Sequence, residues 1–256
     1  MRGVIVVGGS GGIGQAICHA LAREGYGIAV FDPAPCPDLF HDLRAAGHRL
    51  EHFEIDGADR AAVEASVIQV EKRVGPIWGL VNSAGIGPEV PFLEVGDDVF
   101  DKIIHANVKA VFVSSQVVAR HMVQRREGRI VNILSTSSNL GFARLSLYDT
   151  SKGAAQQLTR TMAIELGPLG IQVNRVAPGT INTSLATTYL SKERSARHDL
   201  ERIPMGRIGQ PEDVAEAVAF LISPRSTWIN GATLVVDGGH SITGLPYFEE
   251  SRSTRP

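Results

Sequence analysis

A phenol and an ammonium stand four residues apart in Tyr148-Asp-Thr-Ser-Lys152, inside a stretch whose apolar spacing predicts a helix. Residues at i and i+4 share one helix face, so both groups can reach a common ligand. A free phenol titrates near ~10 and is a poor base at neutral pH, but a neighbouring cation would stabilise its phenolate and make it an acid/base group. Read alone, the same spacing also fits a solvated surface pair. A second centre of chemistry is the loop Gly8-Gly-Ser10-Gly-Gly12-Ile13-Gly14, which follows an apolar run. Glycines let the backbone approach a pyrophosphate with no Cβ in the way, and a helix N-terminus supplies free N–H groups and a favourable dipole. An ordinary tight turn is the other reading. The next apolar run ends at Asp32, 18 residues after Gly14. A carboxylate there can accept both ribose hydroxyls of an adenosine and repels a 2′-phosphate. A solvated Asp at a strand end fits the position too. Gly11, just before Gly12, offers no cation to a 2′-phosphate. Asp32 and Gly11 together favour NAD over NADP.

These groups need a scaffold, and the chain alternates strand and helix patterns throughout. Strands are expected at Gly3–Val7, Tyr26–Phe31, Leu50–Ile55, Ile77–Val81, Arg129–Leu134, Ile171–Val176 and Thr233–Val236. Helices are expected over about 12–23, 61–74, 97–125 (as one long helix), 147–166 and 211–222. Continuous Val/Ile/Leu strands interleaved with helices predict an α/β fold, a doubly wound Rossmann-like parallel sheet with helices on both faces, in a single domain spanning 1–256. The polar, Arg-rich stretch 182–210 reads as an excursion covering a site, with Lys192, Arg194, Arg197 and Arg202 on a solvated face. The tail 240–256 carries Tyr247 and Phe248 and ends in a charged, frayed segment.

Composition narrows the function classes. Apolar residues are 43% and charged ones 20%, enough for a sizeable core, and 25 Lys plus Arg against 27 Asp plus Glu leaves a net charge of −2. That balance argues against a dedicated nucleic-acid or membrane-surface binder. No apolar run approaches the ~18 residues of a membrane helix, and the first strand leads straight into the glycine loop. Cys18 and Cys36 match neither a metal site nor a disulfide framework, so a reducing, cytoplasmic setting is expected. The histidines form no His-Glu-x-x-His cluster, and no metal is expected.

Taken in order, the motifs resemble the short-chain dehydrogenase/reductase family over residues 3–240. The matching marks are Gly8-x-x-x-Gly12-x-Gly14, Asn82-Ser-Ala84-Gly85, Asn107, Ser135 13 residues before Tyr148, Lys152, Pro178-Gly179 and Val236-Asp-Gly-Gly239. The resemblance implies an NAD-dependent oxidoreductase working on a secondary alcohol or ketone. It makes Tyr148 the general acid/base, Lys152 the group that lowers its pKa and holds the nicotinamide ribose, and Ser135 a donor to the substrate oxygen. Asn107 would position a water linking Lys152 to solvent. The Asn82 segment, with Ala84 and Gly85, would pack beside the adenosine half. Asp56, followed by Gly57, resembles the family's adenine-contacting acid. Pro178-Gly179, with Ile181 and Thr183, resembles the segment that cradles the carboxamide. Val7, Ser83 and Gly57 depart from the family pattern, and Asp149 is expected to point away from Tyr148 into solvent or an interface.

Substrate-lining positions are expected at Thr136, Ser137 and Ser138, a small hydroxylic set suited to a polar substrate such as a sugar or polyol. Arg144 could pair with a substrate carboxylate or serve as a solvated or subunit-contact arginine. The other readings are an NADPH-dependent 3-oxoacyl thioester reductase, against which Asp32 counts, and a non-catalytic nucleotide-sensing regulator, against which the intact Asn107, Ser135, Tyr148 and Lys152 set counts. Val108, Val111, Phe112, Val117 and Val118 make one helix apolar on more than one face, and with the family resemblance this predicts a homotetramer.

Overall fold

Val4 and Val6 of the first strand enter one hydrophobic cluster and Ile5 and Val7 enter another, all four fully buried or nearly so. A strand apolar on both sides must be covered on both sides, and helices do the covering. The computed structural model describes residues 1–184, 186 and 200–243. In chain order its main elements are β1 (Gly3–Val7), α1 (Gly12–Arg23), β2 (Gly27–Phe31), α2 (Pro37–Ala45), β3 (Leu50–Phe53), α3 (Arg60–Arg73) and β4 (Ile77–Asn82). There follow α4 (Asp97–Ile104), a π-helical turn His105–Lys109, α5 (Ala110–Arg125), β5 (Gly128–Ile133), α6 (Ser146–Leu166), β6 (Ile171–Pro178), α7 (Pro211–Ile222) and β7 (Thr233–Val236). The strands form one seven-stranded sheet in the order β3-β2-β1-β4-β5-β6-β7. Every pairing is parallel. Strand order reverses at β1 and β4, the crevice where open α/β sheets bind ligands.

One cluster joins α1, α2 and α7 to the sheet, through Ile17, Leu21, Leu39, Val214 and Val218. The other joins α3 and α5, through Val63, Val67, Val113, Val117 and Met122. Between the layers runs a buried polar chain. Asn82 Nδ2 donates to Ser115 Oγ (3.0 Å) and Asn132 Oδ1 (2.8 Å), Ser114 Oγ donates to Asn82 Oδ1 (2.7 Å), and Asn132 Nδ2 donates to Thr159 Oγ1 (2.9 Å). Each buried amide thus has partners, and the network ties β4, β5, α5 and α6 together just below the loops that carry chemistry.

Two elements differ from the sequence reading. α2 was not expected; its burial rests on Leu39 and Leu43 alone, too thin an apolar stripe to stand out. The expected long helix over 97–125 is present but interrupted by the π turn, where one extra residue per turn widens the backbone. Of the excursion, residues 185 and 187–199, with Lys192, Arg194 and Arg197, lie outside the described residues, as do 244–256 of the tail, with Tyr247 and Phe248.

Candidate active site

The glycine loop joins β1 to α1 and is tied to the end of β2. Ser10 N donates to Asp32 Oδ2 (3.0 Å), Ala34 N donates to Asp32 Oδ1 (2.9 Å), and Ser10 Oγ donates to the Ala34 carbonyl (2.7 Å). Each Asp32 oxygen keeps a further lone pair for a ribose hydroxyl. Glycine is required at two places. Gly8 has φ +77°, and a Cβ on it would strike the Ala84 backbone; a Cβ on Gly14 would run into the Gly8 carbonyl. α1 begins at an N-cap, Gly11, that offers no side-chain cap, so its first-turn N–H groups are left for an anion. Thr183 lies over Gly12, 3.3 Å from where a Cβ would stand. The segment that follows β6 therefore faces this loop. The donors, the shape and the acid beside them fit a dinucleotide.

The second half of the site gathers at the C-terminal ends of β4 and β5. Lys152, on the second turn of α6, is buried and donates from Nζ to the Ile133 carbonyl at 3.1 Å. Its ammonium sits 5.6 Å from the centre of the Tyr148 ring. Burial alone lowers the Lys152 pKa to about 8. A Cβ on Gly85 would lie 3.2 Å from both Lys152 Nζ and Asn107 Oδ1, so this glycine lets the two groups converge. Asn107, in the π turn, accepts from Ile86 N (2.8 Å) and donates to the Ile86 carbonyl (2.9 Å) and Ser151 Oγ (2.9 Å). Ser135 Oγ accepts from Ser137 N at 3.1 Å, which leaves its hydroxyl hydrogen for another acceptor.

In the folded chain the Tyr148 pKa is raised. Burial raises it above the ordinary phenol value, the neighbouring Asp149 charge adds to the rise, and the Ser135 hydroxyl opposes it. At neutral pH these surroundings keep the phenol protonated. Chemically, the cluster is a buried cation, a protonated phenol and a second hydroxyl around one opening, an arrangement suited to donating a proton to a carbonyl oxygen.

Over residues 7–241 the chain matches the family described as Enoyl-(Acyl carrier protein) reductase. It is 35% identical to the 5-keto-D-gluconate 5-reductase of Escherichia coli K12 over 240 residues, covering 93% of this chain and 94% of that protein. It is 39% identical to the L-xylulose reductase of Mesocricetus auratus over 243 residues, with 94% and 97% covered. A solved gluconate 5-dehydrogenase from Burkholderia cenocepacia J2315, in complex with NADP and tartrate, superposes with a TM-score of 0.90 at 34% identity, over 94% of this chain and 95% of that one. The chain belongs to the short-chain dehydrogenase/reductase family. It is an oxidoreductase using a nicotinamide cofactor and acting on a secondary alcohol or ketone.

Two of the chain's departures from the family pattern are in contact with each other. A Cβ on Gly57 would stand 2.7 Å from Val7 Cγ1, so the close approach of Val7 leaves no room for a side chain at 57. Asp149, expected in solvent or at an interface, is held by its own chain. The segment before α6 folds back over the first turn of the helix. Phe142 N donates to Asp149 Oδ2 at 2.8 Å, while Oδ1 is buried without a hydrogen-bond partner. Burial raises the Asp149 pKa accordingly.

Of the expected substrate-lining hydroxyls, one is spent inside its own turn and two are buried. Thr136 and Ser137 are buried, and Ser138 Oγ donates to the Ser135 carbonyl at 2.7 Å. Arg144 adopts φ +68°, and its guanidinium stands 4.0 Å from Glu89. Pro178 ends β6 and Gly179 N donates to the Val236 carbonyl at 3.0 Å, while Ile181 is buried in a bridge to Gly209. Beside this segment lies a cavity of about 530 Å3, lined among others by Thr180, Ile181, Met205, Arg207 and Gly239. Asn82 is consumed in the sheet network. Asp56 accepts from Ala58 N at 2.8 Å and pairs with His105 at 2.6 Å. Sequence reasoning missed Ile86, Gly87 and Ser151, which shape the space around Asn107 and Tyr148. It also missed His105, although that residue lies only two positions before Asn107.

Proposed function

We propose that the protein is an NAD-dependent dehydrogenase/reductase of polar secondary alcohols and their ketones, with keto-sugars and polyols, including those bearing a carboxylate, as the substrate class. The observation that carries the reading is the convergence of Ser135, Tyr148, Lys152 and Asn107 beside a glycine loop backed by Asp32. Gly8, Ser10, Gly12, Ile13 and Gly14 would hold the pyrophosphate, Asp32 the adenosine ribose, Asp56 the adenine, and Pro178, Gly179, Ile181 and Thr183 the carboxamide. When bound, the nicotinamide supplies or accepts the hydride. In reduction Tyr148 gives its proton to the carbonyl oxygen while the Ser135 hydroxyl donates to the same atom. In oxidation the phenolate takes the proton back. Lys152 steadies the phenolate and binds the ribose hydroxyls. Asn107, through the Ile86 carbonyl, orders the water that carries the proton to solvent.

The names of the curated relatives support a linear keto-polyol. A hydroxylic wall adds little, because Ser138 is bound to the Ser135 carbonyl and Thr136 and Ser137 are buried. Arg144, half-exposed before α6 and 4.0 Å from Glu89, would meet a substrate carboxylate. Cofactor choice rests on Asp32, whose charge would repel a 2′-phosphate, and on the lack of a cation at Gly11. NAD should therefore show a higher kcat/KM than NADP, and Asp32→Ala should narrow the gap. A kcat/KM for NADP equal to or above that for NAD would overturn the choice. The solved relative carrying NADP makes this comparison necessary.

A homotetramer is supported by the surface of the single chain. Phe112 (44% exposed) stands out from α5, Leu234 and Val235 from the edge strand β7, Ile164 is largely exposed, and Trp228 lies almost fully open. Sedimentation at micromolar concentration should give a tetramer, and a monomer would refute the assembly. Cys18 and Cys36 are buried free thiols, in keeping with a reducing cytoplasmic setting.

A further inference from the structure

Asp56 and His105 come from opposite sides of the adenosine end: one from the turn after β3, the other from the π turn between α4 and α5. His105 Nε2 lies 2.6 Å from Asp56 Oδ2, a short contact of the charge-assisted kind. The other oxygen, Oδ1, is held by Ala58 N at 2.8 Å. Each carboxylate oxygen therefore has one fixed donor, which leaves the group a single orientation and lone pairs still open on its solvent side. About half of each side chain is exposed, 45% for His105 and 49% for Asp56, so the carboxylate remains accessible to a further donor. Against the opposing effect of burial, the Ala58 N–H, then His105 and Lys109, hold Asp56 below the ordinary carboxylate range, which keeps it an acceptor.

The placement of His105 is tied to the catalytic machinery. Residues two apart on a helix face nearly opposite ways. In the turn His105–Lys109, Asn107 faces Ile86 and Ser151 at the reacting end, whereas His105 faces Asp56. One distortion of the helix thus serves both ends of the site. A half-exposed ion pair contributes little to stability, so a purely structural purpose explains this pair poorly. Holding an acceptor for a ligand's donor explains it better.

We propose that His105 is a positioning residue for adenine recognition, fixing Asp56 so that its carboxylate accepts the exocyclic amine of the dinucleotide's adenine. The inference rests on the nicotinamide dinucleotide reading above and holds for NAD and NADP alike, since both carry adenine. The test compares wild type, His105→Ala and His105→Gln. Affinity is measured by calorimetry for NAD and for nicotinamide hypoxanthine dinucleotide, in which a carbonyl replaces the amine, alongside steady-state kinetics and thermal unfolding.

His105→Ala should weaken NAD binding and raise its KM roughly fivefold, the scale of one charge-assisted hydrogen bond loosened rather than deleted. kcat and the unfolding temperature should hardly move. His105→Gln, whose amide N–H can still reach Asp56, should recover most of the loss. The hypoxanthine analogue has no amine for Asp56, so it should bind wild type more weakly than NAD does and should lose little further in His105→Ala. Equal losses for both dinucleotides, or unchanged NAD affinity in His105→Ala, would overturn the inference while leaving the oxidoreductase reading intact. A wild-type protein that bound neither dinucleotide would overturn both.

Discussion

Tyr148→Phe should lower kcat/KM by about 10²–10⁴-fold, the usual contribution of a general acid/base, while dinucleotide affinity stays within about twofold. The ring remains in place: it packs where a Cβ on Gly87 would meet Tyr148 Cδ2 at 2.7 Å, and phenylalanine fills the same volume. Only the hydroxyl is lost, and with it the proton for the carbonyl oxygen. Ser135 still donates a hydrogen bond but cannot complete the transfer. A loss under about tenfold would remove Tyr148 from that role. The direction of its pKa shift adds a pH signature. Because the free protein holds the phenol above its ordinary value, the protonated form needed for reduction is present throughout the neutral range, and reduction should fall only at alkaline pH. Oxidation needs the phenolate and should climb as pH rises. Initial rates in both directions across pH measure this, and a reduction rate that falls on going from neutral to mildly acidic pH would contradict the assignment.

Lys152→Met should remove most turnover and raise the KM for the dinucleotide by about tenfold or more, because one ammonium serves both ribose and phenolate. The same change should make the protein more stable near neutral pH, by about 1–3 kcal/mol. Burial lowers the Lys152 pKa from 10.5 to about 8, so folding works against the charged form. Below pH 8 the full penalty applies. Between about 8 and 10.5 the unfolded chain binds a proton that the folded chain has released, so wild-type stability from this group rises with pH across that window. The advantage of methionine should therefore be largest below pH 8 and shrink toward 10.5. Unfolding temperatures of the two proteins at neutral and alkaline pH provide the check. A Lys152→Met protein less stable than wild type at neutral pH would show that the lysine contributes net stability to the fold.

Much of this architecture was legible because it rests on local signals. The strands are continuous apolar runs, and Gly8, Gly12 and Gly14 punctuate the first strand–helix junction as a phosphate loop must. Tyr148 and Lys152 share a helix face by spacing alone. What escaped depends on contacts distant in sequence. α2 buries only two leucines, so its amphipathic signal is faint. The π turn is invisible because apolar residues on either side keep a helical spacing through it. The fit of Val7 against Gly57 spans fifty positions. Asp149 was read as solvent-facing because helix periodicity reveals where a side chain points but not that a preceding loop folds back over it. The upward shift of the Tyr148 pKa has the same origin: spacing shows the nearby lysine, and only the fold shows the burial that raises the phenol's pKa.

The central claim is direct hydride exchange between a nicotinamide and a carbonyl carbon, with the proton supplied by Tyr148. It is tested most directly by isotope transfer. Reduced NAD carrying deuterium on the nicotinamide ring is incubated with the protein and a linear keto-sugar acid or a pentulose, and the product is examined by NMR. The label should appear on the new carbinol carbon with wild type and nearly vanish with Tyr148→Phe. Absence of label with every ketone and either nicotinamide dinucleotide, or equal labelling by Tyr148→Phe, would contradict it.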